Sequence, residues 1–149
     1  MAMPPPSLKG RALRLLSNRE HSRAELEAKL KPYEEEPGTL ARALDELQAK
    51  DFISEQRVIE SVLNRRAGKL GVARIRQELQ GKGLEPQAVN AALATLKSTE
   101  LERAREVWRK KFGEPASSPP EAARHMRFLA TRGFSGDVIR RVVTGNSDD

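Results

Sequence analysis

The sequence predicts an all-α protein built as three tandem three-helix repeats in an elongated curved array. Three observations lead there. Apolar residues recur at helical spacing from end to end, with no sustained alternating run rich in β-branched residues. Aromatic residues make up only 4% of the 149 residues, so the core must be mostly Leu, Ala, Val and Ile. The chain also matches itself at an offset of about 49 residues.

The helices follow in order. Leu8, Ala12, Leu15 and Leu16 form the first apolar stripe. Ser22-Arg23-Ala24-Glu25 reads as a capping box opening a helix that buries Leu26 and Leu30 and stops near Pro32. Glu34-Glu35-Glu36-Pro37-Gly38 reads as a solvated acidic loop before the stripe Leu40, Leu44, Leu47. Ser54 caps a helix with Val58, Ile59, Val62 and Leu63, ending at Gly68. Ile75 and Leu79 mark the next, closed by Gly81 and Gly83; Pro86 suits the first turn of the one after, with Val89, Ala92, Leu93 and Leu96. Thr99 and Glu102 suggest a second capping box, on a helix carrying Leu101, Ala104, Trp108 and Phe112 in its core face. After a linker at Gly113–Ser117, Ser118 and Ser135 start the last two helices.

The self-match aligns Ser22–Leu47 with Gly71–Leu96 without a gap, pairing Ala24/Ala73, Leu30/Leu79, Pro37/Pro86, Leu44/Leu93 and Leu47/Leu96. A shift of 50 places Ala73, Arg74, Leu79 and Gly83 on Ala123, Arg124, Leu129 and Gly133. Matching breaks between helices are harder to obtain by chance than matching leucines. The expected units are residues 7–53, 54–97 and 98–145, with flexible tails at 1–6 and 146–149. One such unit leaves much apolar face uncovered, so neighbours are expected to stack.

Catalytic patterns are missing. His21 and His125 stand far apart, outside any metal-ligand spacing, and read as surface or boundary residues. No serine lies in G-x-S-x-G, and there is no cysteine. The reading is a non-enzymatic protein without cofactor or metal. Its first residues lack a signal-peptide pattern and no apolar run is membrane-length, so a cytoplasmic monomer is expected.

Charge is the stronger signal. The net charge is +6, and Arg57–Lys82 alone holds seven Lys/Arg against two Glu. Arg65, Arg66, Lys69, Arg74 and Lys82 form the cluster of the middle unit. Lys110 and Lys111 repeat Arg65 and Arg66 at an equivalent helix end, and Arg124 and Arg132 continue the theme. Recurrence favours one basic strip that meets phosphates or an acidic protein groove. Arg74 and Glu78, four apart, are expected to pair along their helix. Exposed aromatics for base stacking are sparse, so base reading is not expected.

The run Gly68-Lys69-Leu70-Gly71, then Arg74-Ile75, Glu78-Leu79 and Lys82-Gly83-Leu84, resembles the RecX family's K-G-x-G-x-x-R-I-x-x-E-L-x-x-K-G-I pattern. Leu129-Ala130-Thr131-Arg132-Gly133-Phe134 is similar to its C-terminal L-x-x-R-G-F. The chain departs from the pattern at Asp51 and Ser54, where the family has glycine and an acid, and at the displaced Gly68. The resemblance implies tandem three-helix units that bind RecA filaments on single-stranded DNA and inhibit ATP hydrolysis, strand exchange and coprotease action. It also fits weak binding to single- or double-stranded DNA without sequence preference. A helix-turn-helix transcription factor and a non-catalytic helical scaffold are the alternatives.

Overall fold

A computed structural model describes residues 4–145; the tail expected at 146–149 and the start of the one at 1–6 lie outside them. The described residues form nine α-helices: α1 Leu8–Asn18, α2 Arg23–Leu30, α3 Thr39–Ala49, α4 Glu55–Arg66, α5 Val72–Gly81, α6 Pro86–Lys97, α7 Glu100–Lys111, α8 Pro119–Thr131 and α9 Gly136–Thr144. Serine hydroxyls of Ser7, Ser22, Ser54, Ser118 and Ser135 cap five of them, and Ser22 with Glu25 completes the capping box. Thr99 does not make the second one: its hydroxyl donates to Leu96 O at 3.1 Å and leaves α7 without a side-chain cap. The short spacing between α6 and α7 holds Thr99 over the end of α6, where a carbonyl is the nearer partner.

Each group of three helices closes its own apolar core. Leu26, Leu44 and Leu47 centre the first, Ile75, Leu79 and Leu93 the second, and Ala104, Leu129 and Phe134 the third. All the repeat-matched leucines named above are buried. The ungapped match breaks locally at the prolines: Pro86 is the first residue of α6, whereas Pro37 precedes Gly38 (φ +88°) and α3 begins at Thr39. The acidic loop is also less solvated than its composition predicts. Glu34 is 8% exposed in its side chain because it pairs with Lys31 and accepts from Leu40 N at 2.9 Å.

The two histidines are not surface residues. His21 is buried between α1 and α2, bonded through Nδ1 to Arg19 O (3.0 Å) and through Nε2 to Lys29 Nζ (3.2 Å). Burial pulls its pKa below 6.5, with the Arg19 and Lys29 charges acting the same way against the Arg19 carbonyl and Glu25. His125 is buried in the third unit, stacked on Phe112 at 3.7 Å, and its Nδ1 accepts from Trp108 Nε1 at 3.1 Å. A histidine whose ring nitrogens find partners is an ordinary interior residue.

Among the described residues every hydrogen bond and ion pair that joins units joins neighbours, which makes the arrangement a linear array. The joints are polar, whereas apolar burial was expected to drive the stacking; each unit already buries its own leucines. The turn after α5 or α8 seats on the start of α2 or α5 in the preceding unit. At the first joint Ser22 Oγ donates to Lys82 O (2.6 Å). At the second Gly71 N donates to Arg132 O (2.8 Å) and Ala73 N to Gly133 O (3.2 Å). The second joint explains two motif glycines. A Cβ on Gly71 would lie 2.3 Å from Gly133 O, and Gly133 itself sits at φ +92° with Arg74 N 2.7 Å from where its Cβ would be.

Candidate interaction groove

The basic residues singled out by the sequence separate into three sets. Arg65 and Arg66 close the last turn of α4, where cations complement the helix dipole. Both reach across to α5 and share Glu78, at 3.3 and 3.0 Å. The expected Arg74–Glu78 pair therefore does not form. Arg74 turns to the third unit and donates to Thr131 O at 2.7 Å. Glu78 lies on the α4 side of α5, and two guanidinium groups from the neighbouring helix outcompete one on its own.

Arg66, Arg74 and Arg132 line a single groove between the second and third units, with Leu70, Gln77 and Glu78. Arg132 continues this groove onto α8, its guanidinium 4.9 Å from the centre of the Phe128 ring. Lys111, at the end of α7, stands over the same ring at 5.5 Å. Phe128 meets Phe112 edge-on at 5.4 Å, and Arg124 stands over Phe112 at 5.8 Å. A contact path of cations and half-buried rings thus leads from Arg66 to Arg124. Such pairs hold a cation at the surface without neutralising it, and of the three only Arg124 also stands near a carboxylate, 3.9 Å from Glu121.

Lys69 is exposed in the turn before α5, close in sequence to the groove residue Leu70. Lys110 is exposed beside Lys111 and stands 3.9 Å from Glu106. Lys82 belongs to neither face. Its side chain, 14% exposed, pairs with Glu25 at 3.3 Å inside the first joint. Glu25 is held well below the usual carboxylate range, at about 2. Burial works against that, and is outweighed by hydrogen bonds from Arg19 and the Ser22 N–H and by the charges of Lys82 and Arg19.

Phe128 is the residue that sequence reasoning missed. Its signal was the spacing of Arg124, Phe128 and Arg132, each four apart on one face of α8. Phe112, expected in the core, is half-buried and carries Arg124 on its open side. The groove can attract and orient an anionic partner. No group of three His, Cys, Asp or Glu suited to a metal occurs among the described residues. No helix among them is long and apolar enough to cross a membrane.

Three family models match in sequence: the first three-helix domain of RecX over residues 9–47, the second over 54–93 and the third over 98–143. A Leptothrix cholodnii protein named "Regulatory protein RecX" is 55% identical over 94% of this chain and 89% of its own length. Its namesake in Ralstonia nicotianae is 44% identical over 97% of this chain and 92% of its own. In three dimensions the chain is similar to the crystal structure of RecX from Lactobacillus salivarius, with a TM-score of 0.76, 21% identity and 93% of each chain covered.

Proposed function

The chain belongs to the RecX family, and from that membership we propose that it binds RecA recombinase filaments on single-stranded DNA and restrains their ATP hydrolysis, strand exchange and coprotease action. The observation that carries this reading is the groove between the second and third units. There Arg66, Arg74 and Arg132 converge from two units on one surface, and Lys111 and Arg124 extend it. The work asked of it is attachment and not bond-making. Guanidinium groups held over rings or paired with one carboxylate still present free N–H donors to a carboxylate or phosphate.

Arg65, Arg66, Lys69, Lys110, Lys111, Arg124 and Arg132 are the contact candidates; Arg74 serves the joint as well as the groove, and Lys82 serves the joint. The protein acts as a monomer in the cytoplasm, without cofactor. It binds DNA by itself weakly and without sequence preference. Addition of the protein to RecA on single-stranded DNA is expected to lower ATP hydrolysis and shorten filaments. Unchanged hydrolysis together with tight binding to one duplex sequence would move the function to the transcription-factor alternative.

A further inference from the structure

We propose that the first unit carries a site for one nucleotide of a single-stranded nucleic acid, with Tyr33 as the stacking platform and Arg11, Arg14 and Lys29 as the phosphate cradle. The inference goes beyond the recombinase reading and does not depend on it.

Tyr33 lies in the short turn after α2 and is 49% exposed, one of two large apolar side chains left open. It borders a pocket formed with Arg11, Arg14, Leu15, Lys29 and Leu30, and no carboxylate lines it. The Arg11 guanidinium lies 3.8 Å from the centre of the Tyr33 ring. Neither Arg11 nor Arg14 has a carboxylate partner among the described residues, in contrast to Arg65 and Arg66, which share Glu78. Lys29 has one polar contact, the Nε2 of His21, a ring that burial keeps from carrying charge. Three un-neutralised cations and an open aromatic ring therefore meet at one place.

The repeat supplies a second observation. Arg11 is the fourth residue of α1 and Arg103 the fourth of α7, each followed by a fully buried alanine, Ala12 or Ala104. The Arg103 guanidinium is taken up by Ala67 O and Leu70 O of the preceding unit, both at 2.7 Å. No described carbonyl receives Arg11, so the same structural position presents its donors to a ligand.

A nucleotide fits this chemistry better than an acidic peptide. The cations would serve either, but a planar ring and a planar guanidinium at stacking distance favour a flat π system beside the anion. Glu35 and Glu36 line an adjoining hollow that shares Arg11 and Tyr33 with the pocket but not Arg14 or Lys29. They repel phosphate there and direct the strand toward Arg14 and Lys29.

The test is fluorescence anisotropy with a labelled oligothymidylate and a duplex of equal length, in the absence of any recombinase. Tyr33→Leu is expected to weaken single-strand binding by about 5- to 100-fold and to leave duplex binding unchanged, because paired bases cannot stack on it. Tyr33→Phe, which keeps the π face, should stay within about 2-fold of wild type. Arg14→Glu should weaken binding and reduce the slope of log affinity against log salt by about one or more. Unchanged single-strand affinity in Tyr33→Leu overturns the proposal, as does an equal loss on single strand and duplex. If Tyr33→Leu spares oligonucleotide binding but removes action on the recombinase, the pocket is a protein contact and the nucleotide site is refuted.

Discussion

At the joint between the first and second units, ion pairs stand beside the Ser22 bond to the Lys82 carbonyl: Lys82 with Glu25, and Arg57 with Glu20 at 2.9 Å and Asp51 at 3.0 Å. At the joint between the second and third, donors meet backbone carbonyls. Gly71 and Ala73 give their N–H groups to Arg132 and Gly133, Arg74 reaches Thr131 O, and Arg103 reaches Ala67 O and Leu70 O. The same elements dock in both places. The first joint leans on carboxylate ion pairs, which titrate and are screened by salt; the second leans on hydrogen bonds to neutral carbonyls, with no carboxylate to titrate. The groove with its converging cations lies across the second joint, where the angle between units is fixed without carboxylates.

The largest expected effect comes from filling the second joint. Gly133→Ala meets both a left-handed backbone and the Arg74 backbone, and is predicted to cost roughly 2–4 kcal/mol. Gly83→Ala, its counterpart at φ +68°, meets only the Ala24 side chain. It should cost less, and Ala24→Gly should recover part of that loss. Denaturant melts of the three variants check the ranking; equal losses without recovery would mean that the joints are packed alike.

Arg103→Ala should be next. It strips Ala67, Leu70 and Leu96 carbonyls of a partly buried donor, a loss of about 1–3 kcal/mol that persists in high salt. Arg57→Ala should cost less and lose more of its effect as salt rises, because its main partners are carboxylates, Asp51 exposed and Glu20 half-buried. A salt titration of the two melting temperatures separates them.

The first joint should also be the acid-sensitive one. Glu25 is lowered from 4.5 to about 2, so its contribution is complete above pH 4.5 and is lost as pH falls toward 2. His21 is lowered from 6.5, so the unfolded chain takes up its proton first as pH drops through 6.5, and stability falls in the same direction. Glu25→Gln is predicted to cost roughly 1–2 kcal/mol at neutral pH and to flatten the lower part of the profile. A stability–pH curve of the variant that still matches wild type would contradict this.

The smallest effect is expected at Asp51, the one described residue other than glycine with positive φ, at 66°. Asp51→Gly should raise stability by about 0.5 kcal/mol, the relief of a left-handed conformation less the contact with Arg57.

Helix order was legible because caps and breaks are local: Ser54, Ser118, Ser135 and Pro86 each act within one turn. The motif glycines were visible but not their reason, since Gly71 is required by a carbonyl 62 residues away in sequence at Gly133. Lone histidines look solvent-facing in a sequence, because the partners that make them interior, Trp108 for His125 and Lys29 for His21, come from neighbouring turns or helices. The basic strip was read from recurrence, but which cations stand open was not. Glu78 faces α4, Lys82 is drawn to Glu25, and Arg74 to Thr131, all choices made between helices.

The groove itself is tested most directly by reversing charge at groove residues whose side chains do not hold the joint. Arg66→Glu and Arg132→Glu in the groove, with Lys111→Glu on its extension, are combined in one protein and titrated into RecA on single-stranded DNA while ATP hydrolysis is followed. Inhibition is predicted to be lost with helicity and melting unchanged, whereas Glu78→Gln, which releases Arg65 and Arg66, should inhibit at a lower concentration than wild type. A folded triple variant that still suppresses hydrolysis at the wild-type concentration would contradict the assignment of this groove.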